Sequence, residues 1–176
     1  MSLMKRLIPI KIRSSWLNYK FIYKESMVKD DKGLQYYEAV GRRKSAVARV
    51  RLYILGKNKL ANVNGLKIKP GEIFVNDKLI SDYFSSAVDR NIYLLPLKAT
   101  SSVDRFAISI KVSGGGKKGQ LGAIVHGISR ALVLVDEANK KILRSLGLIT
   151  RDPRVKERRK VGTGGKARRE KQSPKR

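Results

Sequence analysis

The stretch whose residue types most suggest chemistry is Ser113-Gly114-Gly115-Gly116-Lys117-Lys118-Gly119-Gln120. Gly114, Gly116 and Gly119 satisfy G-x-G-x-x-G between an alternating run and a helical one. Such a loop lets backbone N–H groups approach a phosphate at a helix N-terminus. A dinucleotide is one guest for that geometry, but three features oppose it. Asp136 and Glu137 follow the helical run directly, with no second parallel strand to present them to a ribose. Too little chain follows Gly114 for a full nucleotide-binding sheet. Lys117 and Lys118 add charge that a pyrophosphate cradle usually does without. Gly119 is followed by Gln120 rather than Lys, so no Walker loop exists either. The same backbone physics serves a nucleic-acid phosphate, which is the favoured guest. A purely structural turn is the alternative.

Catalytic chemistry has few materials here. Cysteine is absent and His126 is the single histidine, which excludes disulfides, thiolate metal sites, cysteine nucleophiles and multi-histidine sites. The 14 carboxylates are scattered singly apart from Asp30-Asp31 and Asp136-Glu137. Adjacent acids of this kind usually mark a loop or a helix N-terminus. No apolar run approaches the roughly 20 residues of a membrane span, and none forms a secretory h-region. The expectation is a non-enzymatic protein with no cofactor, no metal, no membrane partner and no small-molecule substrate.

Charge is what the chain has in surplus. It carries 40 Lys+Arg against 14 Asp+Glu, a net charge of +26 in 176 residues. That surplus repels itself and makes sense beside a polyanion. Residues 1–34 hold 8 basic and 3 acidic side chains, 35–149 hold 20 and 8, and 150–176 hold 12 and 3. The last segment is the densest, and Val155 and Val161 are its only branched aliphatics. It cannot bury enough apolar surface to offset its ordering entropy, so it reads as a tail that takes shape on its partner, with a merely solubilising tail as the alternative. Residues 1–24 are basic, free of acids and contain three serines. That composition fits an organellar targeting peptide and equally an ordinary basic extension.

The elements that must position these charges are mixed. Residues 36–41 and 46–55 read as strands; in the second, Ala46, Ala48, Val50, Leu52 and Ile54 alternate with Val47, Arg49, Arg51 and Tyr53. One face is apolar, and the other presents two arginines and a tyrosine, as a phosphate-contacting sheet requires; a merely solvated face fits the strand almost as well. Residues 60–64 and 72–75 are short strand candidates set apart by Asn64-Gly65 and Pro70-Gly71 turns. Helices are expected over 78–84, over 87–95 with an end at Pro96, over 120–135, and over 137–146 with a stop at Gly147. The alternating run 106–112 is a strand. On the long helix Gly119, Ala123, His126 and Arg130 fall near one meridian, opposite an apolar stripe of Leu121, Ile124, Val125, Ile128, Leu132 and Val135. Two small residues, a histidine and an arginine describe a face that something bulky approaches closely. His126 is read as at most an RNA contact.

Three blocks then carry a resemblance. Gly41-Arg42-Arg43-Lys44-Ser45-Ala46-Val47-Ala48-Arg49 is the first. The second is Gly114-Gly115-Gly116-Lys117-Lys118-Gly119-Gln120 running into His126-Gly127-Ile128-Ser129-Arg130-Ala131-Leu132. The third is Leu148-Ile149-Thr150-Arg151-Asp152-Pro153-Arg154, followed by Glu157-Arg158-Arg159-Lys160, Lys166-Ala167-Arg168-Arg169 and Lys175-Arg176. In this order, over residues 36–176, they resemble the universal small-subunit ribosomal protein number nine, in its bacterial and organellar branch.

The resemblance implies an α/β (α+β) fold: a two-layer ribosomal-protein domain with a left-handed β-α-β crossover, a four-stranded sheet packed on helices, and a long extended C-terminal tail. It implies a place in the head of the small subunit, with ribosomal RNA, peptidyl-site tRNA and neighbouring head proteins as partners. The division expected is a basic extension over 1–34, an RNA-binding body over 35–149 and the tail over 150–176. Contacts to ribosomal RNA are expected from Arg42, Arg43, Lys44, Arg49 and Arg51, from Lys117, Lys118, His126 and Arg130, and from Arg151, Arg154, Arg158, Arg159, Lys160, Arg168 and Arg169. Lys175 and Arg176 match the family's tRNA-contacting tip. The implied location is the ribosome, cytoplasmic, or in an organellar matrix or stroma if the first segment is a targeting peptide. Two departures stand out. Gln172-Ser173-Pro174 lacks the aromatic that the family's tail commonly carries before its last two residues, and 56–71 is longer than the usual connection, as a protruding hairpin would be.

Overall fold

A computed structural model describes residues 27–29, 34–55, 60–63 and 65–162. Among these described residues eight strands run in chain order: β1 (Met27–Lys29), β2 (Gln35–Arg43), β3 (Ala46–Ile54), β4 (Ala61–Val63), β5 (Leu66–Ile68), β6 (Ile73–Val75), β7 (Lys78–Leu79) and β8 (Phe106–Ser113). Among the same residues four helices join them: α1 (Ile80–Tyr83), α2 (Ala87–Ala99), α3 (Lys117–Val135) and α4 (Ala138–Ser145). Arg168, Arg169, Lys175 and Arg176 lie outside the described residues, as does most of the segment 1–34.

The main sheet has six strands in the order β1-β2-β3-β8-β6-β7, rather than the four expected. The two additions are short edges. Met27–Lys29 pairs with β2 at residues 35–37, so part of the basic N-terminal segment belongs to the sheet. At the far edge Asn76 (φ 47) and Asp77 (φ 67) form a two-residue turn that pairs Val75 with Lys78. Two consecutive left-handed residues are what such a hairpin needs, and asparagine and aspartate tolerate them. That turn shortens the helix expected over 78–84 to Ile80–Tyr83. The parallel pair β6–β8, joined through α1 and α2, is the β-α-β unit of the fold. Helix α2 continues through Pro96 to Ala99. A proline this late in a helix removes one hydrogen bond without halting the turn already built.

The core lies between the sheet and α3. Ala46, Ala48, Val50 and Leu52 of β3, with Ile108, Ile110 and Val112 of β8, pack under Leu121, Ile124, Ile128 and Leu132, as their alternation and helical spacing require. The connection 56–71 supplies the antiparallel hairpin β4–β5. It does not simply protrude: Ala61, Val63 and Ile68 bury Tyr36, Tyr53 and Ala107 on the opposite face of the sheet. The expected layering of sheet and helices therefore acquires a partial third layer over one end.

Candidate nucleic-acid interface

The sheet register decides which charges remain available. On the face away from α3, Tyr36 stands opposite Tyr53, Glu38 opposite Arg51, Val40 opposite Arg49 and Arg42 opposite Val47. The next strand places Ala107, Ser109, Lys111 and Ser113 in the same rows. The face thus grades from apolar to basic along the strands. At one end the tyrosines lie beneath β4–β5. In the middle Arg51 donates Nε–H to Glu38 Oε2 at 2.7 Å and lies 4.8 Å from the centre of the Tyr36 ring. At the other end Arg49 and Lys111 face each other directly, both exposed, with Arg42 one row on. Glu38 is the only acid among the described residues of this face, and Arg51 holds it. Two like charges opposite one another cost stability in isolation. An anion between them removes that cost.

The second and first motif blocks meet at this basic end. Gly114 (φ 72) lies so close to the turn between β2 and β3 that a Cβ there would stand 2.6 Å from the Ser45 carbonyl oxygen. Lys44, itself at φ 50, is thereby set at the same corner as the exposed Lys117 and Lys118 in the first turn of α3. The helix starts at Lys117, three residues before the expected position, so Gly119 lies inside it rather than in the loop. Gly114 and Gly115 serve close packing against Ser45 and Ala46, Gly116 caps the helix in open space, and the lysines that follow face solvent.

What approaches the meridian of Gly119, Ala123, His126 and Arg130 is the protein's own strand β2. A Cβ on Gly41 would stand 2.8 Å from the Gly127 Cα, and closer still to the Ala123 carbonyl oxygen and Gly127 nitrogen. This contact brings α3 side chains to the edge of β2 beyond β1. Arg42 N–H donates to His126 Nδ1 at 3.3 Å, and Arg130 Nη1 donates to the Val40 carbonyl oxygen. An open sheet edge invites unwanted pairing, and here two side chains occupy its polar groups. Since His126 Nδ1 accepts, Nε2 carries the proton and donates to the Ile149 carbonyl oxygen at 3.1 Å. Both ring nitrogens are engaged within the protein.

Burial first, and then the Arg130 and Arg151 charges, hold the His126 pKa below its ordinary 6.5, against the pull of the Ile149 bond. Arg42 and Arg43 from β2, Arg130 from its own helix, and Arg151 and Asp152 from the following segment are the charged groups around the ring. The neutral ring therefore adds stability that is complete above about pH 6.5 and is lost as pH falls through the lowered folded value. The urea midpoint should drop between about pH 7 and 5, and the drop should be shallower in His126→Asn. Equal pH profiles for the two proteins would rule the neutral linkage out.

The third block begins at the same edge. Helix α4 ends with Gly147 at φ 70, whose N–H donates to the Arg144 carbonyl, while Leu148 N–H reaches the Leu143 carbonyl. This paired closure turns the chain back over α3. Arg43 Nη2 lies 3.4 Å from Asp152 Oδ2, and Arg154 chelates the same carboxylate through Nε and Nη2 at 2.9 and 2.7 Å. The Arg154 hydrogen bonds first, then the charges of Arg154 and Arg43, hold Asp152 well below the usual carboxylate range. Arg151, Arg158, Arg159 and Lys160 are exposed, and 151–160 forms neither helix nor strand.

The expected site residues thus divide by geometry. Arg42, Lys44, Arg49, Lys117 and Lys118 gather at one end of the body, all exposed and with no acid partner among the described residues. Arg43, Arg51, His126 and Arg130 make bonds inside the protein. Lys111 was not among the candidates; its alternation marked it as outward, but its partner Arg49 could be known only from the register. Asp152 was likewise missed as an anchor. Among the described residues no cluster of three or more histidine, aspartate or glutamate side chains could hold a metal, and no helix is long and apolar enough to cross a membrane. A protein-family model described as ribosomal protein S9/S16 matches residues 41–176.

Proposed function

The chain belongs to the ribosomal protein S9/S16 family and is a structural, RNA-binding protein of the small ribosomal subunit; on that premise we propose that its basic end grips ribosomal RNA and its tail reaches peptidyl-site tRNA. The observation that carries the first half is the row Arg49–Lys111 with Arg42 beside it, a row that among the described residues has no acid to compensate it, since Glu38 is held by Arg51. Lys44, Lys117 and Lys118 extend this surface around the corner to the start of α3. Phosphate oxygens are the ligands such groups favour, so contact here fixes position rather than reading sequence. Arg43, His126 and Arg130 act one step back, by holding the strand, helix and tail root that present the surface. Arg151, Arg154, Arg158, Arg159, Lys160, Arg168 and Arg169 continue the RNA contact along the tail. The family's place in the subunit head, beside other head proteins, carries over to this chain within the same proposal.

The tip, Lys175 and Arg176, supplies two charges to the tRNA backbone. The terminal aromatic of the family is absent, so charge alone acts there. Deleting Lys175 and Arg176 should leave the protein sedimenting with small subunits through a moderate-salt wash, while peptidyl-site tRNA binds about tenfold more weakly, given the worth of charge-assisted contacts. Unchanged tRNA affinity in purified subunits would refute the role of the tip. Loss of the protein from subunits in that wash would refute the assembly role.

A further inference from the structure

Between the last helix and the tail, the chain is tied to the body in two places. His126 Nε2–H holds the Ile149 carbonyl oxygen. Three residues on, Arg43 reaches Asp152 from β2. The Arg43 side chain gets there by lying across α3 at Gly122, where a Cβ would stand 2.8 Å from its Nη1. Asp152 in turn accepts the Arg154 backbone N–H at 3.1 Å as well as its guanidinium. The segment 149–154 therefore follows one path, fixed to the same strand and helix that carry the basic surface.

We infer that His126 and the Arg43–Asp152 pair form a clasp that aims the C-terminal tail, making all three positioning residues for the tail's contacts. The inference rests on the reading above, in which the tail must arrive at a defined target. Chemistry explains the components. A carboxylate at the root of an RNA-bound tail would repel phosphate, but Asp152 is neutralised by two arginines and becomes an anchor instead. Holding the root in its bound direction lowers the ordering cost of engaging the remaining residues. A chain pivoting freely from the end of α4 would pay that cost in full. His126 can serve two elements at once because its neutral ring has one acceptor and one donor, facing opposite ways.

The absence of cysteine permits a direct test on the full chain. Spin labels placed through Val88→Cys on α2 and Val155→Cys just past the clasp occupy two well-exposed positions. Their distance distribution should be narrow in the parent protein. It should broaden about twofold in His126→Asn with Asp152→Asn, towards that of a flexible chain. His126→Asn keeps an acceptor near the Nδ1 position for Arg42 and loses the Ile149 bond, so the edge of β2 stays capped. A melting temperature that falls while the distribution stays narrow would show a merely structural role and overturn the clasp. Asp152→Glu, which keeps the carboxylate, should restore much of the narrow distribution in an otherwise unaltered chain; a distribution as broad as that of Asp152→Asn would also overturn it. In reconstituted small subunits the two asparagine substitutions should weaken peptidyl-site tRNA by severalfold. If the tip deletion weakens tRNA and they do not, the aiming role falls; if the tip deletion has no effect, the tRNA reading falls while the label distances still decide the clasp.

Discussion

Replacing Gly41 by alanine should destabilise the protein by about 3 kcal/mol or more, the upper range for overpacking in a rigid site. The added methyl would meet the Ala123 carbonyl oxygen and the Gly127 nitrogen and Cα, all backbone atoms of α3. No side chain is available to rotate away, so strand and helix must separate. Gly127 is locked from the other side, since a Cβ there would stand 2.6 Å from the Val50 Cγ2. Separation would also lift His126 from Arg42 and Arg130 from Val40, exposing the edge of β2. For a chain of this size the melting temperature should fall by roughly 10 °C. Gly116→Ala is the matched control: nothing lies within 4 Å of its Cβ position. It should cost about 1 kcal/mol or less, through its N-cap position alone. A melting temperature for Gly41→Ala within about 2 °C of the parent would mean that the strand–helix contact is looser than described.

Neutralising Arg49 and Lys111 together, each to glutamine, should weaken RNA binding about a hundredfold near 0.1 M salt and reduce the log–log salt slope by about two. Each phosphate contact releases roughly one counterion, so each lost contact removes about one from the slope. The fold should not suffer. The two charges oppose each other across the β3–β8 pair, and removing that repulsion is neutral or mildly stabilising. Arg51→Gln discriminates the reading, because Arg51 already pairs with Glu38 and stacks on Tyr36. It should change the salt slope little and the stability more. If the Arg49 and Lys111 substitutions leave the slope unaltered, the outward basic row is not where RNA lies. A nearly flat salt dependence of the parent protein would remove the electrostatic account altogether.

The contrast between Arg49 and Arg51 shows what was legible in the chain. The alternation over residues 46–54 places both on the outward face, and the structure agrees. Their different fates depend on Glu38, which strand pairing brings opposite Arg51, and on the hairpin β4–β5, which folds back over that end of the face. Tyr53, expected beside the arginines as an exposed aromatic, is wholly buried for the same reason. The helix 117–135 was legible from its stripe. Its small-residue meridian signalled a close approach, but not that the approaching object is β2. The Asn76-Asp77 turn was missed because a two-residue hairpin between strands this short leaves little alternating pattern to read.

By itself the sequence determined the excess of positive charge, its concentration in the tail, the glycine and lysine loop, and the inward and outward faces of β3, β8 and α3. These follow from local composition and from the two- and 3.6-residue periods of strand and helix, which need no knowledge of the rest of the chain. Tertiary structure alone decided which of those charges are free. Arg42, Arg49, Lys111, Lys117 and Lys118 are left to meet a polyanion, whereas Arg43, Arg51, His126 and Arg130 are committed to Asp152, Glu38 and the edge of β2. Whether these four are free depends on the acid, carbonyl or N–H that strand register and helix packing bring beside them, and those partners lie from 13 to 109 positions away, as in Arg51 with Glu38 and Arg43 with Asp152.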